Sequence, residues 1–64
     1  MYDNYIQVRL LTDRFVSEGV KYGDIGCIIE VYNENAYEVE FSEKNGITIA
    51  MIVAHKDELE PCLE

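Results

Sequence analysis

Short apolar runs punctuated by turns predict an all-β domain: a small barrel or sandwich of about five antiparallel strands with one helical turn. Three observations carry this. Residues 25–32, IGCIIEVY, and 36–41, AYEVEF, both alternate with the period-2 signature of half-buried strands. Between them lies Asn33-Glu34-Asn35, whose residues tolerate turn and left-handed backbone. A second turn, Ser42-Glu43-Lys44-Asn45-Gly46, supplies Asn-Gly ahead of another apolar run.

The elements follow in order. Residues 5–11, YIQVRLL, form the first strand, with Ile6, Val8 and Leu10 on one face and Gln7 and Arg9 on the other. A long irregular connection, Thr12 to Asp24, contains Phe15, Val16, Val20 and Tyr22 and is punctuated by Gly19 and Gly23. The hairpin comes next. Turning at Glu34 pairs Val31 with Tyr37, Ile29 with Val39 and Cys27 with Phe41 on the core face. The same register sets Glu30 opposite Glu38 and Ile28 opposite Glu40 on the other face. Like charges directly across a ladder destabilise it by up to ~1 kcal/mol. The fourth strand is Ile47 to Val53, with Ile47, Ile49, Met51 and Val53 inward. His55 to Leu59 is one helical turn. Glu60 to Leu63 closes the fold as a short strand, with Pro61 placing it at an edge.

Length and composition bound the function. The 64 residues make one domain, 1–64. A chain of this size buries only ~60% of its unfolded surface, which leaves little room for an enclosed catalytic cavity. The apolar fraction of 48% is enough for a globular core. Thirteen acidic residues against five basic ones give a net charge of −8. That field repels phosphate backbones and attracts basic surfaces, which argues against nucleic acid or an anionic membrane as a direct ligand; the alternative is that the charge only keeps a small protein soluble. No apolar run approaches the ~20 residues of a membrane-spanning helix. The start, MYDNYIQVRLL, has no basic segment followed by an apolar one, so the expected location is cytoplasmic. Cys27 and Cys62 fit no C-x-x-C pattern and are expected to be free thiols.

Residues 20–32, VKYGDIGCIIEVY, extend the argument. Together with Leu11-Thr12, Gly19, the AYEVEF strand and Asp57-Glu58-Leu59, they resemble a small bacterial family of uncharacterised SH3-like barrels. The resemblance covers nearly the whole chain. It implies an SH3-like barrel and, for function, an immunity protein or antitoxin coded beside a toxin. A weaker likeness is to the KOW motif, which shares the glycine-punctuated turn but occurs in basic domains. Met1-Tyr2-Asp3-Asn4-Tyr5 also looks like the first motif of proline-binding SH3 domains. Those need a tryptophan in their aromatic groove, and this chain has none.

No catalytic constellation stands out. His55 is the only histidine and has no second ligand at metal spacing; Ser17 and Ser42 have no visible base. Gly23 and Gly26 are followed by no phosphate-loop lysine and read as turn geometry. The chain is therefore read as a non-enzyme without cofactor or metal. The expected partner site is an apolar strip of Ile28, Tyr32, Ala50 and Ile52 rimmed by Glu30, Glu38 and Glu40. The alternative is that the long first loop folds over this strip and makes it core. The leading function is neutralisation of a basic protein partner, a cognate nuclease toxin, whose nucleic-acid cleft the carboxylates occlude. The alternative is a structural accessory subunit of a larger cytosolic complex.

Overall fold

The computed structural model of the chain describes residues 2–62. Five strands make one antiparallel sheet: β1 Gln7–Leu10, β2 Ile25–Asn33, β3 Ala36–Ser42, β4 Thr48–His55 and β5 Leu59–Pro61. Their order across the sheet is β4-β3-β2-β1-β5. Two single 3-10 turns interrupt them, Val16–Glu18 in the first loop and Lys56–Glu58 before β5. The all-β expectation holds, with one more helical turn than expected.

Every strand contributes to a single core. Val8 and Leu10 come from β1, Ile28 from β2, Tyr37, Val39 and Phe41 from β3, Ala50, Ile52 and Ala54 from β4, and Leu59 from β5. A sheet whose five strands all bury the same face against one cluster has to curl around it. Tyr37 is fully buried, and its polar end is satisfied. Its hydroxyl donates to the Glu34 carbonyl at 2.9 Å and accepts from the Tyr2 N–H at 3.0 Å.

The turns behave as their residues dictate. Asn33 Oδ1 accepts from the Asn35 N–H at 2.8 Å and tightens the first hairpin. Gly46 takes φ 86°, which closes the second. β1 begins at Gln7 and not at Tyr5, because Tyr5 sits at φ 68° and breaks the extended run. The expected closing strand runs Leu59–Pro61, and its anticipated end at Leu63 lies outside the described residues.

The second hairpin strand departs from the expected register. Glu30 opposes Glu38 and Val31 opposes Tyr37, as the alternation predicts. Beyond a bulge at Ile29, however, Ile28 opposes Val39 and Cys27 opposes Glu40. The extra residue shifts the phase by one. Ile28 therefore enters the core and Cys27 turns outward. Gly26 lies under this bend, where an added Cβ would stand 2.8 Å from the Glu40 carbonyl oxygen and 2.8 Å from Val39 Cγ1. Only glycine lets β2 approach β3 so closely.

Candidate functional site

The outward face of the β2-β3-β4 ribbon carries the candidate site. β3 alternates strictly, so Tyr37, Val39 and Phe41 point in while Glu38 and Glu40 point out. Across the ladder, Glu38 stands between Glu30 on β2 and Val53 on β4, and Glu40 stands between Cys27 and Met51. The three carboxylates thus sit on two adjacent strands. Met51 and Val53, about half exposed, flank them on the third.

Hydroxyl groups hold two of these carboxylates. Tyr32 Oη donates to Glu38 Oε1, and Thr48 Oγ1 donates to Glu40 Oε2 at 2.7 Å. The Glu38 hydrogen bond, then loss of hydration, then the Glu38 and Glu30 charges push the Tyr32 phenol above its ordinary value. Cations are placed elsewhere. The ion pairs among the described residues are Arg9–Glu60 at 3.6 Å, Arg14–Glu58 at 2.7 Å and Lys21–Asp24 at 3.1 Å. None neutralises Glu30, Glu38 or Glu40.

The apolar members of the expected strip need correction. Ile28 is fully buried and Ile52 is 4% exposed, so both are core residues with no surface to offer a partner. Ala50 is buried with them. The expected inward set of the fourth strand is likewise reversed, because Ile47, Ile49, Met51 and Val53 are all exposed. β4 is apolar on both faces, so polarity could not say which face is inside. The long first loop adds to the same core: Phe15 and Val20 are buried in the cluster that holds Ile28, Ala50 and Ile52, while Tyr32 stays exposed. What faces solvent beside the carboxylates is Met51 and Val53, with Ile49 at the strand's start. Glu30, Tyr32, Glu38 and Glu40 do come together, as the sequence predicts.

A concavity of about 770 Å³ lies at the other end of β4. It is an open cleft lined by Tyr2, Asn35, His55, Lys56, Asp57 and Leu59, with Lys56 Nζ 5.9 Å from the Tyr2 ring centroid. Among the described residues no buried polar side chain lacks a partner. Among the described residues no group of three or more His, Cys, Asp or Glu side chains could hold a metal ion. Cys27 and Cys62 are free. Each flanks Gln7, Cys27 as its β2 partner and Cys62 through an N–H bond to the Gln7 carbonyl at 2.9 Å. Two strand spacings of ~4.8 Å hold them too far apart for a disulfide. Among the described residues no helix is long and apolar enough to cross a membrane.

The fold and this face define a small acidic all-β domain whose candidate site is an open sheet surface and not an enclosed cavity. The chain belongs to the family described as Domain of unknown function (DUF4926), which it matches over residues 6–61, from just before β1 to the end of β5. No curated protein and no solved structure matches it.

Proposed function

We propose that this domain is a non-enzymatic binding protein that neutralises a basic partner, an immunity protein or antitoxin acting on a nuclease. The observation that carries this reading is the row Glu30, Glu38 and Glu40. Among the described residues these carboxylates have no cationic neighbour in an ion pair, two are held by hydroxyl donors, and Met51 and Val53 stand beside them. Fixed anions flanked by an apolar strip suit a cleft rich in Lys and Arg that ordinarily holds phosphates. Complementary charge also raises the association rate, which favours an inhibitor that has to act early. The strand order β4-β3-β2-β1-β5, with a bent β2 shared between both halves of the sheet, supports reading the fold as an SH3-like barrel.

The test is affinity capture from the native host with the wild-type chain and with E30Q/E38Q/E40Q as bait, followed by mass spectrometry. The wild type should retain a basic nuclease and the triple variant should lose most of it. Equal recovery by both would move the interface off this face. Recovery of a multisubunit assembly without a nuclease would favour an accessory subunit instead.

A further inference from the structure

The two edges of the sheet are treated differently. Natural sheets blunt an open edge with short strands, charges, proline or bulges. β5 follows that rule: it is three residues long and contains Glu60 and Pro61. β4 does not. It runs eight residues, and Thr48 to Ala54 contain no charge and no proline. A bulge at Ile49 marks its start, and the register from Ala50 to His55 is regular.

The backbone phase of β4 follows from one bond. Lys56 N–H donates to the Asn35 carbonyl at 3.0 Å, continuing the register in which Ala36 opposes His55. Hydrogen-bonded and non-bonded pairs alternate in an antiparallel ladder. Ala54, Ile52 and Ala50 therefore bond to β3, whereas Met51, Val53 and His55 direct their N–H and C=O groups to the open edge. Among the described residues no backbone group bonds to that edge. Met51 and Val53 thus present free backbone groups and exposed apolar side chains together, at 54% and 49% exposure.

We propose that β4 pairs antiparallel with β4 of a second copy of this chain, joining the two sheets into one. The occupant is a second copy because the strand is compatible with itself. With Ile52 on the two-fold axis, Met51 of each copy lies opposite Val53 of the other, and each such pair exchanges both its N–H···O bonds. No charge in β4 meets a like charge. Glu38 of each copy lies across from Glu40 of the other, three strand spacings or about 14 Å away. That exceeds the Debye length of ~8 Å at physiological salt, so the acidic rows are largely screened from one another. The contact is isologous and closes at two copies, and the guarded β5 edge prevents further growth. One strand pair buries less than the ~1,200 Å² of a standard interface, so the dimer is weak and forms in the micromolar-to-millimolar range. The proposal concerns the purified chain alone and does not rest on the identity of any toxin.

Sedimentation equilibrium across a concentration series, at low and high salt, tests it. The 7.4 kDa chain should approach twice that mass at high concentration, and dimerisation should tighten as salt rises. M51K/V53K sets lysine opposite lysine across the dimer, while within one copy each lysine faces Glu40 or Glu38. It should stay folded by circular dichroism and weaken dimerisation at least tenfold. Val53→Pro removes an N–H used only at the open edge and should act likewise. A wild type that stays monomeric throughout, species larger than a dimer, or variants that are folded yet dimerise normally would each overturn the proposal.

Discussion

The two strands of the β3-β4 hairpin obey different rules. On β3 polarity alternates, with Tyr37, Val39 and Phe41 inside and Glu38 and Glu40 outside. On β4 both faces are apolar and differ in size at two positions. The small Ala50 and Ala54 flank Ile52 inside, while the larger Ile49, Met51 and Val53 remain outside. Phe41 opposes Ala50, and Tyr37 opposes Ala54. Two bulky aromatic rings on β3 leave room only for alanines across the ladder, so packing density and not hydrophobicity decides which face of β4 is buried. The larger apolar set is displaced to the surface, beside the carboxylates and along an unguarded edge.

The largest expected effect breaks this comparison directly. Ile52→Ala should cost about 2–5 kcal/mol, the usual range for a buried isoleucine. Met51→Ala, one residue away on the other face, should cost no more than about 0.5 kcal/mol. Urea denaturation of both variants measures the difference. Equal losses would mean that the two faces are not distinct. Gly26→Ala should follow at about 1–3 kcal/mol, because its Cβ meets the Glu40 carbonyl, a backbone atom that cannot swing away. In so small a domain either core variant removes much of the total stability.

How much of this was legible in the sequence depended on polarity contrast. β3 and the Glu30–Glu38 opposition could be read because charged and apolar residues alternate there. The two turns could be read from Asn and Gly. β4 could not, since it has no polar residue from Ile49 to Ala54. Ile28 was misplaced because a bulge leaves no sure mark in a run of apolar residues, and only the extra residue in the ladder reveals it. Gly26 was the nearest signal, as a glycine within a strand pattern often marks a bulge or a close backbone approach. The two core residues of the long loop, Phe15 and Val20, were visible as apolar side chains, but so were Val16 and Tyr22, which stay exposed. Their destinations were not, because no periodicity ties a loop to a face.

A smaller effect concerns how that loop is fastened. Arg14 reaches across from the loop to Glu58 in the second 3-10 turn through two bonds, of 2.7 and 2.9 Å. Glu58 also accepts from the His55 N–H at 2.9 Å. The Arg14 hydrogen bond, with the His55 N–H and the Arg14 charge assisting, lowers the Glu58 carboxyl from 4.5 to about 2 against the opposing loss of hydration. A carboxyl depressed on folding stabilises the fold above its unfolded pKa, and that contribution is lost as pH falls towards its folded pKa. Thermal stability should therefore decline between pH 4.5 and about 2 in part through Glu58. Glu58→Gln should lower the neutral-pH Tm by about 2–5 °C and flatten the profile in that window. A variant whose acid profile matches the wild type would show that the tether contributes nothing.

The smallest effect separates two carboxylates that look alike in the sequence. Glu30 and Glu38 oppose one another, but only Glu38 receives the Tyr32 hydroxyl. Glu30→Gln removes the like-charge opposition and leaves that bond in place, so it should stabilise the domain by about 0.2–0.5 kcal/mol. The gain should shrink as salt rises. Glu38→Gln relieves the same repulsion but replaces a charge-assisted hydrogen bond with a neutral one, and the two changes should nearly cancel. The Tyr32 phenol supplies an independent signal. Its pKa is raised first by the Glu38 hydrogen bond, so Glu38→Gln should return it towards its ordinary 10.0. Glu30→Gln removes only the last and least of the causes and should move it less. Alkaline titration of tyrosinate absorbance, read as the difference between each variant and the wild type, measures both shifts. If Glu30→Gln moved the phenol as far as Glu38→Gln, the hydroxyl would not be bound to Glu38, and the acidic row would lose one of its two anchors.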